Sequence, residues 1–292
     1  MKKVLITGAN GLLARHFIRC FHQEFQITAL SRSEIAHPLK DVNYVVTNYS
    51  ADALLTQFYD QDAVVHLAAS RLYSVGVEAC QQNVLLDEIV FETAHQAGVS
   101  KLLFASTRGV YGTSLAPWSE SSSIAPNNVY ALAKGQSEVL AQYYVHAKGL
   151  QITTLRLAQI YSSEEFKGSM LNTFFERARN GIDLDVSVIE GQREYIYIKD
   201  AISAMQRVLM VDAPAGIYNL GSEETQSIEQ IASIIAKSYD NGVKSRLSSN
   251  PTFSRELSLM DSSKFRNMFD WYPLFSFESA TKDIVSKTGK YE

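Results

Sequence analysis

Short apolar runs alternate with longer amphipathic segments along the first half of the chain. The apolar runs have the length and composition of buried strands, and they span residues 4–7, 27–31, 44–46, 63–67, 102–106 and 152–157. The longer segments repeat apolar residues at helical spacing over residues 12–21, 51–58, 84–97 and 130–147. Strands that alternate with helices form a parallel sheet that is covered on both faces. The pattern therefore predicts an α/β fold with a doubly wound parallel sheet.

The pattern becomes less regular after about residue 162. Helical spacing returns over residues 170–179, 201–211, 261–269 and 277–286, and strand-like runs lie at 195–198 and 216–220. Ser227 and Gln230 form a capping-box pattern at the start of a helix over 227–238, whereas the polar residues 241–250 predict a loop. We expect a first domain over residues 1–164, which regains segments around 195–221, and a smaller α/β lobe over residues 165–292.

Composition narrows the class of partner. The 292 residues carry a net charge of −4 with scattered basic residues, so there is no basic surplus to neutralise nucleic-acid phosphates. No run reaches the ~18–20 apolar residues that span a bilayer. The two cysteines, Cys20 and Cys80, are expected to be reduced and buried, and His66 is interpreted as a hydrogen-bonded core residue. We therefore expect a cytoplasmic protein that binds neither nucleic acid, nor membrane, nor a metal ion.

A glycine-rich turn follows the first predicted strand directly. Gly8 and Gly11 belong to a Gly-x-x-Gly-x-x-Ala pattern that ends at Ala14 and opens the first helix. Gly8 permits the tight turn, and Gly11 allows the backbone to approach a pyrophosphate, which the N–H groups of the helix N-terminus then face. A purely structural turn is the alternative. The position of the glycine pattern directly after a buried strand favours a dinucleotide site, which would include Asn10 and Leu12.

The residues after the second predicted strand bear on the choice of cofactor. An enzyme that uses NAD usually has an acidic residue there, which holds the ribose 2′-hydroxyl, whereas arginine suits the 2′-phosphate of NADP. This chain has Arg32, so NADP is favoured over NAD. A solvated loop arginine is the alternative, and Glu34 remains a second candidate for contact with the ribose.

Two further segments carry groups suited to proton transfer. Tyr130 and Lys134 are four residues apart, on one face of a predicted helix. A nearby ammonium stabilises a phenolate and so lowers the tyrosine pKa of about 10 toward neutrality. The same spacing is frequent by chance, but Ser106 and Thr107 end a buried strand, where doubly wound proteins bind ligands. Together these residues predict acid–base chemistry on an alcohol or a ketone.

Short motifs occur in a fixed order along nearly the whole chain. They cover residues 7–11, 62–69, 83–84, 104–112, 130–134, 155–161, 193–200, 216–222 and 261–264. In this the sequence resembles the extended short-chain dehydrogenase/reductase superfamily, in particular its NAD-dependent epimerase/dehydratase group, which acts on nucleotide sugars. The resemblance implies a Rossmann fold, a nucleotide-sugar substrate, and a homodimer formed through the helices that contain residues 84–97 and 130–147.

The resemblance also implies roles for individual residues. Thr107 would bond the reacting oxygen and Tyr130 would be the acid or base, while Lys134 would bind the nicotinamide ribose and tune Tyr130. The residues implied to line the cofactor groove are Leu67, Ala68, Ala69, Asn83 and Ser106. The residues implied to contact the nucleotide sugar are Ser106, Thr107, Gln159, Arg193 and Arg255. The two arginines would clamp a pyrophosphate, although Arg255 is equally well interpreted as a surface residue.

Departures from the family pattern separate the candidate reactions. Arg108 and Gly109 follow Thr107 in place of the acidic pair of 4,6-dehydratases, which disfavours a dehydratase. We expect a nucleotide-sugar 4-epimerase, of the UDP-hexose or UDP-N-acetylhexosamine type, that acts through a transient 4-keto intermediate with bound NAD(P). An NADPH-dependent 4-keto nucleotide-sugar reductase is the alternative, and it fits Arg32 better. A non-catalytic NAD(P) sensor is a third hypothesis, which the complete set of acid–base residues disfavours.

Overall fold

A computed structural model describes residues 1–70, 76–164, 167–253 and 256–288 of the chain. The strands are β1 (Lys2–Thr7), β2 (Phe25–Ser31), β3 (Asn43–Val46), β4 (Ala63–His66), β5 (Lys101–Thr107), β6 (Ile152–Leu157), β7 (Gln159–Tyr161), β8 (Leu184–Ile189), β9 (Gln192–Tyr197), β10 (Gly216–Leu220), β11 (Thr225–Ser227), β12 (Ser245–Phe253) and β13 (Leu257–Ser258). The α-helices are α1 (Leu12–Phe21), α2 (Ala51–Phe58), α3 (Val77–Gln96), α4 (Val129–Lys148), α5 (Met170–Arg179), α6 (Ile198–Met210), α7 (Ile228–Ser238), α8 (Ser263–Phe269) and α9 (Phe277–Thr288). A 3-10 helix spans Arg108–Tyr111.

Within the described residues, seven strands form one parallel sheet in the order β10-β6-β5-β4-β1-β2-β3. Successive side chains of a strand point to opposite faces, and the core follows this rule: Leu5 belongs to one hydrophobic cluster and Ile6 to the other. The predicted doubly wound α/β fold is therefore confirmed. The strand order reverses between β1 and β4, and in such sheets the ligand crevice lies at that point, beyond the carboxyl ends of the strands.

Helix bounds follow the sequence pattern closely. α1, α2 and α5 begin and end where the spacing predicts. The capping box of α7 is confirmed, because the Ser227 hydroxyl accepts the Gln230 N–H and the Gln230 side chain accepts the Ser227 N–H. α3 begins at Val77 rather than at residue 84. Of residues 77–83 only Cys80 and Asn83 are buried, so this part of α3 carries no continuous apolar stripe that would reveal a helix.

The loop predicted over residues 241–250 agrees with the structure for residues 241–244 but is wrong from Ser245 onward. The structure has strand β12 there, paired in parallel with β8 and with a register shift between Leu247 and Thr252. Most of β12 is exposed or half-buried, so its residues show no alternation of apolar and polar side chains. Backbone hydrogen bonds to β8 make the strand, and a sequence pattern does not report them.

The larger hydrophobic cluster continues from the parallel sheet into the C-terminal helices, where Ile231 and Phe265 belong to it. The prediction of two buried thiols is half wrong: both cysteines are free, but Cys20 is exposed and only Cys80 is buried. Across residues 1–70, 76–164, 167–253 and 256–288, no helix is long and apolar enough to cross a bilayer. The same residues contain no cluster of three potential metal-ligating side chains.

Candidate active site

A cleft with a volume of about 1520 Å³ opens at the point where the strand order reverses. Most site residues predicted from the sequence line it: Gly8, Asn10, Gly11, Leu12, Arg32, Leu67, Ala68, Ala69, Asn83, Ser106, Thr107, Tyr130, Lys134 and Gln159. Arg193 is not among the lining residues. Arg255 lies outside the described residues.

The glycine turn joins β1 to α1 and brings the backbone close to the loop after β4. Gly8 has a φ of +74°, and a Cβ at this position would lie 2.8 Å from the backbone nitrogen of Ala68. Gly11 closes the turn by donating its N–H to the Gly8 carbonyl at 2.8 Å. Among the described residues no side chain caps α1. The first N–H groups of α1 therefore donate to no capping side chain, and the glycine turn fits the phosphates of a dinucleotide.

Tyr49 also lines the cleft, although it was not predicted from the sequence. Its hydroxyl accepts the Gly8 N–H at 2.9 Å and donates to the Leu30 carbonyl at 2.9 Å, so it braces the glycine turn against the end of β2. Burial raises the pKa of this phenol, which keeps it neutral. Tyr49 lies in the loop after β3, outside any motif, and no local pattern marks it. Asn10 reaches across the mouth of the cleft to Ser33 at 3.0 Å.

Side chains from other elements hold the loop after β4, which forms one wall of the cleft. The buried Thr7 hydroxyl accepts the N–H groups of Leu67 at 3.1 Å and Ala68 at 3.2 Å. Asn83 of α3 makes two hydrogen bonds to the backbone of Ser70, at 2.8 and 2.9 Å. Thr7 and Asn83 thus fix the backbone of this wall, and Asn83 is one of the residues predicted to line the groove.

The acid–base candidates come together in the cleft from two elements. Thr107 is the last residue of β5, and its hydroxyl accepts the Gly109 N–H at 3.1 Å at the start of the 3-10 helix. Asn128 caps α4 through its side chain. Tyr130 therefore lies in the first turn of α4, with Lys134 one turn further on. All three candidates line the same cleft as the glycine turn.

A buried polar network holds α4 against the sheet. The Ser106 hydroxyl donates to Glu138 at 2.5 Å, and the Arg156 guanidinium donates to both oxygens of the same carboxylate at 2.6–3.1 Å. Glu138 and Arg156 are almost fully buried, and removing one partner of such a pair costs about 3–5 kcal/mol. Because Glu138 lies on α4, one turn beyond Lys134, this pair fixes the helix relative to Thr107.

Arg108 places a cation in the cleft beyond the ends of β5 and β6. Its guanidinium donates to the Ser258 hydroxyl at 2.6 Å and to the Gln159 side chain at 3.2 Å, and burial lowers its pKa. In the sequence, Arg108 stands out only as a departure from the dehydratase pattern. Arg193 is bonded instead to Glu256 at 2.9 Å, and Glu256 itself lines the cleft. Arg193 therefore lies behind the carboxylate at the margin of the cleft.

Glu194 is a fully buried carboxyl behind this margin. It accepts the backbone N–H groups of Glu223 at 2.8 Å and Met260 at 3.0 Å. A Cβ at Gly221 would lie against it, so only glycine fits at that position. Burial raises the pKa of Glu194 to about 7, although the Met260 N–H and the nearby Arg108 oppose this shift. The carboxyl ties together loops after β10 and near β13.

We expect Glu194 to contribute stability that is lost as the pH rises toward 7, and Glu194→Gln to remove this contribution. The folded pKa of about 7 exceeds the ordinary value of 4.5, so the contribution is fully present below pH 4.5 and is lost as the pH rises through 7. Its size is at most about 3 kcal/mol. Denaturant unfolding of both proteins at several pH values between 4.5 and 8 measures the change. Equal pH dependence in the two proteins would contradict the role of Glu194.

The parallel sheet, the glycine turn at its switch point and the polar residues of the cleft define a nucleotide-binding α/β enzyme. The model of the NAD dependent epimerase/dehydratase family matches residues 4–221, which is well over half of the chain. The chain belongs to this family, and it is an NAD(P)-dependent enzyme.

Relatives with different reactions match the chain. The dTDP-D-glucose 4,6-dehydratase of Mus musculus is 27% identical over 252 residues, which cover 79% of this chain and 71% of that protein. The dTDP-4-dehydro-6-deoxyglucose reductase of Escherichia coli is 24% identical over 253 residues, 80% of each chain. Among solved structures, the UDP-N-acetylglucosamine 4-epimerase from Bacillus cereus has a TM-score of 0.87 and 27% identity, and the match covers 100% of this chain and 98% of that one.

Proposed function

We propose that the protein is a nucleotide-sugar 4-epimerase. The observation that carries this proposal is that Thr107, Tyr130 and Lys134 line one cleft together with the glycine turn at Gly8. The cleft is thus suited to hold a dinucleotide and a second ligand side by side, with the acid–base residues between them. The likeness to the Bacillus cereus UDP-N-acetylglucosamine 4-epimerase over both whole chains supports the same assignment.

The residues of the cleft suit a reversible oxidation at C4 of the sugar. Tyr130 takes the proton of the C4 hydroxyl, Thr107 bonds to the same oxygen, and the Lys134 ammonium stabilises the phenolate. A nicotinamide dinucleotide bound at the glycine turn would accept the hydride from C4 and later return it to C4. The 4-keto sugar then rotates in the cleft and presents its opposite face. Tyr130 returns its proton to the oxygen, and the configuration at C4 is inverted.

The substrate proposed here is a nucleotide sugar of the UDP-hexose or UDP-N-acetylhexosamine type. Arg108 supports this assignment, because within the described residues its guanidinium is bonded to neutral side chains and lines the cleft. An arginine held in this way suits phosphate oxygens. Arg193 and Arg255 remain the candidates from the family resemblance for the same pyrophosphate. In this assignment residues 1–164 bind the dinucleotide and residues 165–292 mainly cover the nucleotide sugar.

A 4-keto nucleotide-sugar reductase that consumes NADPH is the second candidate. Arg32 favours it, because this exposed arginine lines the cleft, and a 2′-phosphate would give it a partner. A 4,6-dehydratase is less suited to the site. Among the described lining residues Glu256 is the only carboxylate. It is far from Thr107 in the chain, whereas the acidic pair of 4,6-dehydratases follows the corresponding residue directly.

Two measurements separate the epimerase from the reductase. For the epimerase we expect absorbance of a dinucleotide released on denaturation of the purified protein, together with interconversion of UDP-sugars that differ at C4. A protein that contains no dinucleotide and oxidises NADPH only with a 4-keto nucleotide sugar would identify the reductase. A protein that binds the dinucleotide and turns over neither substrate would support the sensor and contradict both enzymes.

Arg32→Ala is expected to shift cofactor preference toward NAD by on the order of tenfold, since a charge-assisted hydrogen bond contributes about 1.5–3 kcal/mol. The ratio of dissociation constants for NADP and NAD measures this effect. Arg246→Ala is a suitable control, because Arg246 is exposed and pairs with Asp183, away from the cleft. An unchanged ratio in Arg32→Ala would contradict the proposed contact with a 2′-phosphate.

We also propose that two copies of the chain associate through α3 and α4. Leu85 of α3, and Val139 and Tyr143 of α4, are exposed apolar side chains on these neighbouring helices. An exposed apolar surface on two adjacent helices is typical of a subunit interface. The molar mass in solution, measured by light scattering, decides between a monomer and a dimer.

A further inference from the structure

Four polar side chains form a buried line from the glycine turn to Lys134. The Thr7 hydroxyl lies 2.7 Å from Nδ1 of His66, and Nε2 of His66 lies 2.7 Å from Oδ1 of Asp87. The Lys134 ammonium is 3.4 Å from Oδ2 of Asp87. Each of the four residues is at most 2% exposed. The expectation of a hydrogen-bonded core histidine at His66 is therefore confirmed, and Asp87 is a residue that no sequence motif marked.

The direction of these hydrogen bonds follows from counting donors. The Thr7 oxygen already accepts the N–H groups of Leu67 and Ala68, so its own O–H donates to Nδ1 of His66. Nε2 of His66 then carries the proton and donates to Asp87. Burial lowers the pKa of His66, which agrees with a neutral ring in this tautomer.

Asp87 is the anion of this line. Burial by itself opposes ionisation, but the Lys134 ammonium and the N–H of His66 together hold the pKa of Asp87 below its usual value. One oxygen of the carboxylate faces His66 and the other faces Lys134. The face of the Phe104 ring covers the ammonium from another side, at 4.3 Å from the ring centre. Asp87 is therefore the carboxylate that neutralises the buried ammonium.

We propose that Asp87 is a positioning residue, which holds the Lys134 ammonium in the cleft and sets, by its charge, the pH at which the Tyr130–Lys134 pair releases a proton. This inference rests on the proposed catalytic function of Tyr130. Glu138 also lies one turn from Lys134, but its carboxylate is bonded to Arg156 and Ser106. His66 is neutral, so Asp87 carries the charge that faces the pair.

The sign of the effect does not depend on which of the two partners loses the proton. The pair passes from one positive charge to none when it releases its first proton, and the two groups titrate together. The negative charge of Asp87 stabilises the positive state and so delays this release to higher pH. Without that charge the pair releases its proton at lower pH. Opposite charges at such distances shift a pKa by about 1–3.

Asp87→Asn is the variant that tests this inference. We expect the acidic limb of the pH profile of kcat/KM to move at least about one pH unit toward lower pH. A second readout needs no turnover: ultraviolet titration of the protein, with the Tyr130→Phe protein subtracted, reports the phenolate of Tyr130 alone. This phenolate is also expected at lower pH in the variant. Asp87→Ser removes the same charge with a smaller side chain, and serves if the asparagine variant does not fold.

The control is Glu88→Gln, which removes one negative charge from the next position of α3, where the side chain is exposed. It is expected to leave both titrations unchanged. Lower activity or stability in Asp87→Asn with both titrations unmoved would show a merely structural ion pair and overturn the proposal. If Tyr130→Phe retained full turnover, the proposed catalytic function would fail instead, so the two failures are distinguishable.

Discussion

Tyr130→Phe is expected to lower kcat on the order of 10³-fold while the affinity for the dinucleotide changes little. The phenol hydroxyl is the group proposed to exchange a proton with the substrate, and a positioned acid or base contributes about 10²–10⁴-fold to the rate. Phenylalanine keeps the ring and its packing in the first turn of α4. Steady-state kinetics with the nucleotide sugar and titration of the dinucleotide with the purified protein measure the two quantities separately.

Tyr143→Phe is the matched control for this change. Tyr143 lies on the same helix, but it is 53% exposed and is not among the residues that line the cleft. The same hydroxyl is removed outside the site, so kcat should stay near its original value. If the two variants had similar turnover, the acid–base assignment of Tyr130 would be wrong.

Gly8→Ala is expected to lower the affinity for the dinucleotide more than tenfold and to destabilise the fold. The left-handed conformation of Gly8 costs an alanine about 1–2 kcal/mol. Its Cβ would also lie 2.8 Å from the nitrogen and 2.9 Å from the Cα of Ala68. Neither contact is with a flexible side chain, so the turn or the loop after β4 has to move. Both segments form the wall on which the dinucleotide is proposed to bind.

Gly98→Ala is the control that separates the conformational cost of alanine from its contact with the backbone of Ala68. Gly98 has a φ of +70° but faces open space, so an alanine there incurs the conformational cost without the contact. We expect a similar conformational loss of stability and no change in affinity for the dinucleotide. Calorimetric titration and thermal unfolding of both variants test this. Equal affinity in Gly8→Ala and the original protein would show that the turn only connects β1 to α1.

The two largest expected effects concern the glycine turn and the first turn of α4, and buried side chains hold both segments in place. The glycine turn is braced by Tyr49 and by the loop that Thr7 holds. Tyr130 lies on a helix that the Glu138–Arg156 pair fixes to the sheet. The line through His66 and Asp87 connects these two segments.

Much of the fold was predictable because its elements bury one face. α1, α2 and α5 were predicted with their observed bounds, since an amphipathic helix displays its apolar stripe in the sequence. β12 was missed for the converse reason: most of its side chains are exposed or half-buried. The start of α3 was missed for a similar reason, because only Cys80 and Asn83 of residues 77–83 are buried and they form no continuous apolar stripe.

The candidate site divides in a similar way. Gly8, Thr107 and Tyr130 could be predicted as cleft residues, because each lies in a local motif whose chemistry depends on neighbours in the sequence. Tyr49 and Asp87 were not found, because their partners lie far away in the chain: Tyr49 binds Gly8, and Asp87 binds Lys134. A contact between distant segments leaves no trace in the spacing of either one.

By itself, the sequence determined the alternation of strands and helices, the glycine turn and the two residues Tyr130 and Lys134 one helical turn apart. These features depend on residues within about ten positions of one another, where chain geometry alone sets distances. Only the tertiary structure decided that Arg108 rather than Arg193 lines the cleft. It also decided that Asp87 neutralises Lys134. The reason is physical: burial and charge pairing arise when separate elements pack, and packing brings together residues that the chain keeps apart.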